Sequence, residues 1–250
     1  MFSIVIPNYD DKRIERTIQS IVNQNFKRYE LIVVEGCLDN KNSSIVYEKY
    51  KDNIDLLVHE KDQGIFDALN KGISLSTGKF ILLIGSDDRL SHNDIFSKVN
   101  EKINTDIDGV CIDCLFVNSK NKLIRKWVPG QITSSKIKYG IIPPHFSLFL
   151  RKSLYKKLGL FDISKEILGL DSIWLLNLCE ISELNIVSVH ERATIMEIGG
   201  TSTISVTNIL KGNINLMYAA KQKGLSSWPY IAIVKMLSKL PQYIIKYKKI

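Results

Sequence analysis

Carboxylates follow three of the short apolar segments at the start of this sequence, at Glu35, at Asp62 and at the adjacent pair Asp87-Asp88. In an open α/β sheet, ligands bind beyond the carboxyl ends of the strands, so these side chains are candidates for one site. Adjacent carboxylates repel each other, and Mg²⁺ or Mn²⁺ relieves that repulsion while it also binds phosphate oxygens. Asp87-Asp88 therefore predicts a divalent-metal site, with equal weight for a helix cap followed by an acidic first turn.

The turn after the first apolar segment, Pro7-Asn-Tyr-Asp10, is not a glycine-rich loop. A P-loop or a dinucleotide-binding loop would hold phosphate on backbone amides at this point, and Pro7 removes one such amide. We therefore expect a metal ion, rather than the backbone, to neutralise a bound phosphate.

Three further candidates have structural explanations of comparable weight. Asp67 and Lys71 are four residues apart on one helical face, where they either form a surface ion pair or face a bound ligand. His145 follows two prolines and precedes a predicted strand, so it is either structural or part of a ligand pocket. Asp171 opens a predicted helix, where helix capping is the alternative to a chemical role.

Strands and helices that position these residues alternate four times in about ninety residues. The apolar runs at 2–6, 31–34, 56–58 and 80–84 are typical of buried strands, and the segments at 14–22, 43–50 and 65–75 have helical spacing. This alternation predicts an α/β fold with a mostly parallel central sheet and helices on both faces.

The second half of the chain has a looser pattern. Strands are expected at 110–117, 123–128, 146–150 and between 186 and 198, and helices at 94–103, 153–158 and 171–179. Residues 205–250 are predicted to be helical and form an appendage to the α/β domain.

The end of the chain carries a regular polar stripe of Lys235, Lys239, Gln242, Lys246 and Lys249, at alternating intervals of four and three residues. Apolar residues occupy the rest of this predicted helix. The pattern favours a basic amphipathic helix over residues 228–250 that lies on an anionic membrane surface. The alternative is a helix packed on the domain with its lysines in water.

The composition, with 45% hydrophobic residues in 250 and a net charge of +8, is that of a folded domain. Lysines concentrate after residue 210, which disfavours a nucleic-acid surface on the folded core. Four cysteines without a disulfide pattern, and no signal-peptide pattern, indicate a cytoplasmic protein.

An ordered set of segments gives a family resemblance. They are Ser3–Tyr9, Glu30–Gly36, Glu60–Ile73, Ser76–Phe80 and Gly85–Asp88, followed more loosely by Pro144–Ser153, Leu158–Asp162 and Leu170–Leu176. Together they resemble the family 2 inverting glycosyltransferases of bacterial polysaccharide assembly, the colanic-acid or capsular type in particular.

The resemblance implies a GT-A fold over residues 1–204, with a donor half at 1–90, an acceptor half at 91–204 and the helical segment 205–250 after them. It implies a nucleoside-diphosphate-sugar donor, UDP-linked in our interpretation, and Mn²⁺ or Mg²⁺ as cofactor. The implied acceptor is a glycan or a polyprenyl-linked sugar, which favours a peripheral location on the inner face of the cell membrane.

Site roles follow from the same resemblance. Pro7 and Tyr9 would frame the nucleotide base, Glu35 would contact it, and Asp62 would lie near the uracil or ribose. Asp87 would touch the ribose and Asp88 would bind the metal, while Lys71 or Asp67 would face the donor phosphate or sugar.

The acceptor side is assigned in the same way. Asp171 would be the base that deprotonates the acceptor hydroxyl, with Glu166 as the reserve carboxylate. From its place after two prolines, His145 would line the acceptor or the donor pocket, the acceptor pocket in our interpretation. One such base suffices for a single displacement that inverts configuration.

Two other classes of protein remain alternatives. A metal-dependent nucleotidyltransferase also places paired carboxylates at strand ends, but it usually carries a glycine-rich, basic loop after the first strand. A non-enzymatic nucleic-acid-binding module would need basic and aromatic residues interleaved on the core.

Overall fold

The protein is described from a computed structural model that covers residues 1–164, 167–198 and 206–243. The strands are β1 (Phe2–Asn8), β2 (Tyr29–Glu35), β3 (Leu56–His59), β4 (Phe80–Leu83), β5 (Arg89–Leu90), β6 (Gly109–Val117), β7 (Leu123–Trp127), β8 (Leu148–Arg151) and β9 (Ile186–Glu197). The helices are α1 (Ile14–Val22), α2 (Ser44–Lys49), α3 (Ile65–Leu75), α4 (Ile95–Lys102), α5 (Ser134–Lys138), α6 (Lys152–Leu158), α7 (Leu170–Leu176), α8 (Val206–Gln222) and α9 (Ile231–Leu237).

The first half is a parallel sheet in the order β3-β2-β1-β4, which confirms the predicted βα alternation. Every residue of β1 is buried, because helices cover both faces of the strand and leave no face for polar side chains. The helix α1 buries Ile14, Thr17, Ile18 and Ile21, one stripe at helical spacing, against one face of this sheet.

The second half of the sheet mixes strand directions. β8 lies antiparallel between β4 and β6, β9 runs parallel to β6, and the short β5 closes the far edge against β9. β7 forms an antiparallel hairpin with β6, which needs no helical crossover. The prediction of a mostly parallel sheet is therefore confirmed for β1 to β4, whereas β5, β7 and β8 add antiparallel pairs.

The turn at residues 85–88 connects these two halves. It follows β4, next to β1, and leads into β5, which pairs with β9. The Thr17 hydroxyl of α1 lies 2.9 Å from the carbonyl oxygen of Ser86 and 2.5 Å from that of Asp88. The acidic turn is therefore held against α1 through its backbone.

The C-terminal helices pack into the same core as the second half. Leu216 and Ala220 of α8 and Ile231 of α9 are fully buried. Gly140 approaches α9 closely, since a Cβ atom there would lie 2.5 Å from the carbonyl oxygen of Ile231. The predicted continuous helix over 228–250 is wrong: α9 ends at Leu237, and a 3-10 turn that contains Pro241 follows it at Leu240–Tyr243.

Candidate functional site

The acidic turn places one carboxyl group in the interior. Asp88 is 2% exposed, and burial, followed by repulsion from Asp87, raises its pKa to about 8. A Cβ atom at Gly85 would lie 2.8 Å from Asp88 Oδ2, so glycine leaves room for this carboxyl group. Asp87 is half-buried, and Arg13 Nη1 lies 3.2 Å from its Oδ2. The turn leads into β5 rather than a helix, so the helix-cap alternative is wrong.

The donor set of this turn fits a divalent cation shared with a diphosphate. Among the residues that the structure describes, no group of three or more potential ligands surrounds a common point. Mg²⁺ and Mn²⁺ bound to nucleotides need only one or two carboxylates, because phosphate and water oxygens complete the shell. Asp88 and Asp87 supply that number, and a cation there would offset the cost of burying a carboxylate.

The Glu35 carboxylate is occupied by hydrogen bonds within the protein, which argues against its predicted contact with the base. Its carboxylate is fully buried and accepts five hydrogen bonds, from Asn8 Nδ2, Ser43 Oγ, Tyr47 OH and the backbone amides of Asp10 and Cys37, at 2.7–3.0 Å. A carboxylate has about four acceptor positions, so none remains for a base. Burial alone would raise the pKa of Glu35, and the hydrogen bonds from Tyr47 and Cys37 hold it below its ordinary value.

Tyr9, after β1, is 68% exposed at this edge, and Asp62 is half-buried there. Pro7 is buried within β1 opposite Val34, and its contact with the base stays a prediction. The Asp62 carboxylate lies over Gly36, where a Cβ atom would be 1.9 Å from Asp62 Oδ2. Gly36 in turn donates its amide to the carbonyl oxygen of Asn8 at 2.9 Å. Asp62 and Tyr9 therefore flank the carboxyl ends of β1 and β2.

Lys71 joins a network within the protein. Its Nζ lies 3.1 Å from Glu60 Oε1 and 3.4 Å from Asp67 Oδ2, and it donates to the carbonyl oxygen of Lys61 at 2.9 Å. The structure thus shows the ion pair that was the alternative to a donor contact. This network ties the segment after β3 to α3.

Asn70, which shares a helical face with Asp67 and Lys71, is a positioning residue. Its Nδ2 donates to the Phe161 carbonyl oxygen and its Oδ1 accepts from the Phe161 amide, both at 2.9 Å. The two bonds join α3 to the segment that leads toward α7. Asn70 lies in Glu60–Ile73, a segment that carries the family resemblance, and this position is the feature of the sequence that points to it.

A second group of predicted residues lines a cavity of about 370 Å³, in the size range of small-ligand pockets. Asp171 is the second residue of α7 and is half-buried in the cavity wall. The residue that caps α7 is Gly169, so Asp171 is not the cap. Among the described residues that line the cavity, Asp171 is the one carboxylate. Glu166 lies outside the described residues.

His145 lies in the same cavity wall as a neutral imidazole. Its ring stacks on Trp174 at 5.9 Å between centroids, and its Nε2 is 3.5 Å from the Tyr155 hydroxyl. Burial lowers the pKa of His145 to about 4, and the negative charge of Asp171 acts in the opposite direction. Its Nδ1 is buried and has no hydrogen-bond partner among the described residues. A neutral ring with an unpaired nitrogen suits contact with a ligand hydroxyl.

The polar stripe at the end of the chain faces this cavity, which corrects the prediction of lysines on a membrane. Lys235, Lys239 and Gln242 line the cavity together with Arg125 of β7. The outward residues are apolar: Ile233, Met236, Leu237, Leu240 and Tyr243 are each more than 40% exposed. The spacing in the sequence identifies the polar stripe, whereas tertiary packing determines that the stripe faces the cavity. Lys246 and Lys249 lie outside the described residues.

The acidic turn and the cavity are connected through β6 and β9. Cys114 of β6 is fully buried, and Thr194, opposite it on β9, donates its hydroxyl to the carbonyl oxygen of Phe146, next to His145, at 2.9 Å. Burial chiefly raises the pKa of the Cys114 thiol, and the Asp88 carboxylate adds to the effect. Leu90, two residues after Asp88, also pairs with Thr194, so the acidic turn and the cavity wall at His145 meet at the same stretch of β9.

Comparison with protein families gives one match over most of the chain. Residues 3–158 match the family described as Glycosyl transferase family 2. A PGL/p-HBAD biosynthesis glycosyltransferase of Mycobacterium bovis is 26% identical over 174 residues, 68% of this chain and 66% of that protein. The Escherichia coli UDP-Glc:alpha-D-GlcNAc-diphosphoundecaprenol beta-1,3-glucosyltransferase WfgD is 26% identical over 55% of this chain and 54% of its own. The chain thus spans less than two thirds of the length of either relative.

Solved structures share the fold along nearly the whole chain. Staphylococcus aureus TarS 1–349 in complex with UDP-GlcNAc has a TM-score of 0.69 at 18% identity, over 95% of this chain and 72% of TarS. The mannosyltransferase PcManGT of Pyrobaculum calidifontis, in complex with GDP-Man and Mn²⁺, has a TM-score of 0.67 at 17% identity, over 96% of this chain and 70% of its own.

Proposed function

This chain belongs to glycosyltransferase family 2 and has the GT-A fold, and on that premise we propose that it transfers a sugar from a UDP-linked donor to a glycan or lipid-linked acceptor in bacterial surface polysaccharide synthesis. The observation that carries the proposal is the position of Asp171. It is the one carboxylate among the described lining residues of a ligand-sized cavity, and Met196 of that lining follows Ile195, which pairs with Arg89 beside the acidic turn.

The proposed reaction is a single displacement with inversion. Asp171 takes the proton from the acceptor hydroxyl as its oxygen forms a bond with the anomeric carbon. The bond between that carbon and the diphosphate oxygen breaks, and the nucleoside diphosphate leaves with the electron pair. Retention through a covalent intermediate would require a nucleophilic carboxylate beside the sugar in addition to the base.

The donor half holds the nucleotide in this proposal. Tyr9 offers an exposed ring to the base, and Asp62 and Asp87 accept hydrogen bonds from the base or ribose. A divalent cation at Asp88, when bound, neutralises the charge on the departing diphosphate. In this proposal Asp67 and Lys71 act through their ion pair, which fixes the neighbouring segment.

The test of the donor site is thermal protection by UDP. We expect UDP with Mn²⁺ to raise the Tm of the protein, and UDP with EDTA to leave it unchanged, because the acidic turn holds the diphosphate only through a metal. A screen of nucleotide sugars for metal-dependent hydrolysis then identifies the sugar. Equal protection with and without metal would contradict the site, and slow turnover of a nucleoside triphosphate instead would favour the nucleotidyltransferase alternative.

We also propose that the protein works at the inner face of the membrane, since the acceptor named for WfgD is linked to a lipid diphosphate. No helix in the described part of the chain is both long and apolar enough to cross a bilayer. The outward side chains of α9 and the turn after it, Ile233, Met236, Leu237, Leu240 and Tyr243, form an apolar surface suited to interfacial contact.

Replacement of Leu237 and Leu240 by Gln should release the protein from phospholipid vesicles, because these side chains are 56% and 58% exposed. Cosedimentation with vesicles measures the effect. The control carries the same change at Leu38 and Ile45, exposed apolar residues of the donor half, and should sediment like the wild type. Equal sedimentation of all three proteins would contradict the proposed surface. Binding that vanishes in moderate salt would assign the contact to cations instead.

A further inference from the structure

Three cationic side chains converge on one wall of the cavity that contains Asp171. They are Arg125 of β7 and, from the C-terminal segment, Lys235 and Lys239. The Arg125 guanidinium carbon lies 3.5 Å from the centre of the Phe116 ring, and its Nη1 donates to Gln242 Oε1. Lys235 Nζ donates to the hydroxyl of Ser172 at 2.9 Å. These contacts fix the direction of Arg125 and Lys235 without neutralising either of them.

The cluster has no matching anion within the described residues. None of the three cations lies within 4.0 Å of a carboxylate oxygen there, and Asp171 is the single carboxylate among the described lining residues. Burial lowers the pKa of Lys235. Burial, followed by repulsion from Lys235 and Arg125, lowers the pKa of Lys239 to about 8. The three cations are half-buried, and partly desolvated cations gain from pairing with an anion, so this wall is suited to an anionic ligand.

We propose that Arg125, Lys235 and Lys239 bind a phosphate or diphosphate group carried by the acceptor. The inference rests on the proposed transfer reaction, because it takes the cavity to be the acceptor site. An arginine fork and two lysines present many donors to the oxygens of one phosphate group. A sugar attached to that phosphate would lie in the part of the cavity lined by Asp171 and His145.

The position of the cluster favours the acceptor over the donor as the source of the diphosphate. Asp87 and Asp88, which are assigned to the donor, do not line this cavity. The segment that contributes Lys235 and Lys239 inward also presents Met236 and Leu237 outward, at 43% and 56% exposure. A lipid diphosphate has the same division, with a charged group for the inner wall and a hydrocarbon chain for the outer surface.

The experiment uses farnesyl diphosphate as the probe, titrated into the full chain by calorimetry in the presence of EDTA. Chelation removes any metal through which the acidic turn could hold a diphosphate. We expect binding by the wild type and at least a tenfold weaker Kd for the double variant Lys235→Met, Lys239→Met. The matched control, Lys102→Met with Lys120→Met, removes two exposed lysines elsewhere and should bind like the wild type.

Two further measurements separate this binding site from the donor site and from a folding defect. UDP with excess Mn²⁺ should bind both double variants with unchanged affinity, and it should not displace farnesyl diphosphate from the wild type. The Tm of Lys235→Met, Lys239→Met should rise, because the variant removes two half-buried cations that form no ion pair within the described residues. Should that variant unfold instead, the single variant Lys239→Gln replaces it and is expected to weaken farnesyl diphosphate binding alone.

Displacement of farnesyl diphosphate by UDP would overturn the proposal, because the cations would then serve the donor. Equal binding by the wild type and the lysine variants would overturn it as well, as would the absence of binding to the wild type. If the wild type does not bind UDP with Mn²⁺, the proposed donor site is contradicted, whereas the calorimetric result with farnesyl diphosphate in EDTA is unaffected. The two failures are therefore distinguishable.

Discussion

Asp171→Asn is expected to lower the rate of sugar transfer by about 10²- to 10⁴-fold, the usual contribution of a positioned general base. Asparagine keeps the size of the side chain but cannot accept the acceptor proton at neutral pH. Donor affinity should be unchanged, because the proposed donor contacts lie in the first half of the chain. A transfer assay with the cognate donor measures the loss, and the UDP–Mn²⁺ thermal shift measures donor binding.

The fold should survive this substitution, since Gly169 rather than Asp171 caps α7. The matched control is Glu166→Gln, which removes the reserve carboxylate five residues earlier. Near wild-type transfer by Asp171→Asn together with an inactive Glu166→Gln would assign the base to Glu166. Unfolding of Asp171→Asn would show that the residue is structural.

Asp88→Asn is expected to abolish both transfer and the metal-dependent part of donor binding. The carboxylate is the buried member of the acidic pair, and an amide is a far weaker ligand for Mn²⁺ or Mg²⁺. The stability of the protein should not fall, because the substitution replaces a buried acid, whose pKa is raised to about 8, with a neutral group of the same shape. Calorimetry of UDP with and without Mn²⁺, and thermal melting, measure the two effects.

The control for this variant is Asp52→Asn, an exposed carboxylate that should alter neither property. Wild-type activity that persists in excess chelator would falsify the metal assignment. Retained Mn²⁺-dependent UDP binding by Asp88→Asn would move the ligand role to Asp87.

The elements of the donor half were predictable because its strands are buried on both faces. Continuous apolar runs identify such strands, and α3 begins and ends at the predicted residues, Ile65 and Leu75. The sequence pattern also placed Asp88 correctly in the turn that follows β4. In the second half, the antiparallel insertion of β8 between β4 and β6 depends on contacts far apart in sequence, which no local pattern records.

The sequence pattern did not reveal the direction in which particular side chains point. Glu35 and the buried Pro7 lie in segments that resemble the family, but resemblance does not distinguish a residue that touches the base from one that supports the turn beside it. The stripe that begins at Lys235 was recognised from its spacing. Its inward direction depends on contacts distant in sequence: Lys235 donates to the hydroxyl of Ser172, and Gln242 accepts from Arg125. Helical periodicity defines a face but not what covers it.

The close approach of α8 to the start of α7 bears on how such enzymes diversify. Gly169 has a φ of +80°, and a Cβ atom there would lie 3.4 Å from the Cα atom of Gly212, so the position of Asp171 depends on α8. Both residues lie beyond the segment 3–158 that the family shares. In the proposed reaction, mutations after residue 158 would therefore alter the acceptor cavity while Tyr9, Asp62, Asp87 and Asp88, the residues proposed for the donor, stay constant. Such mutations would have to preserve the alignment of Asp171 with the donor sugar.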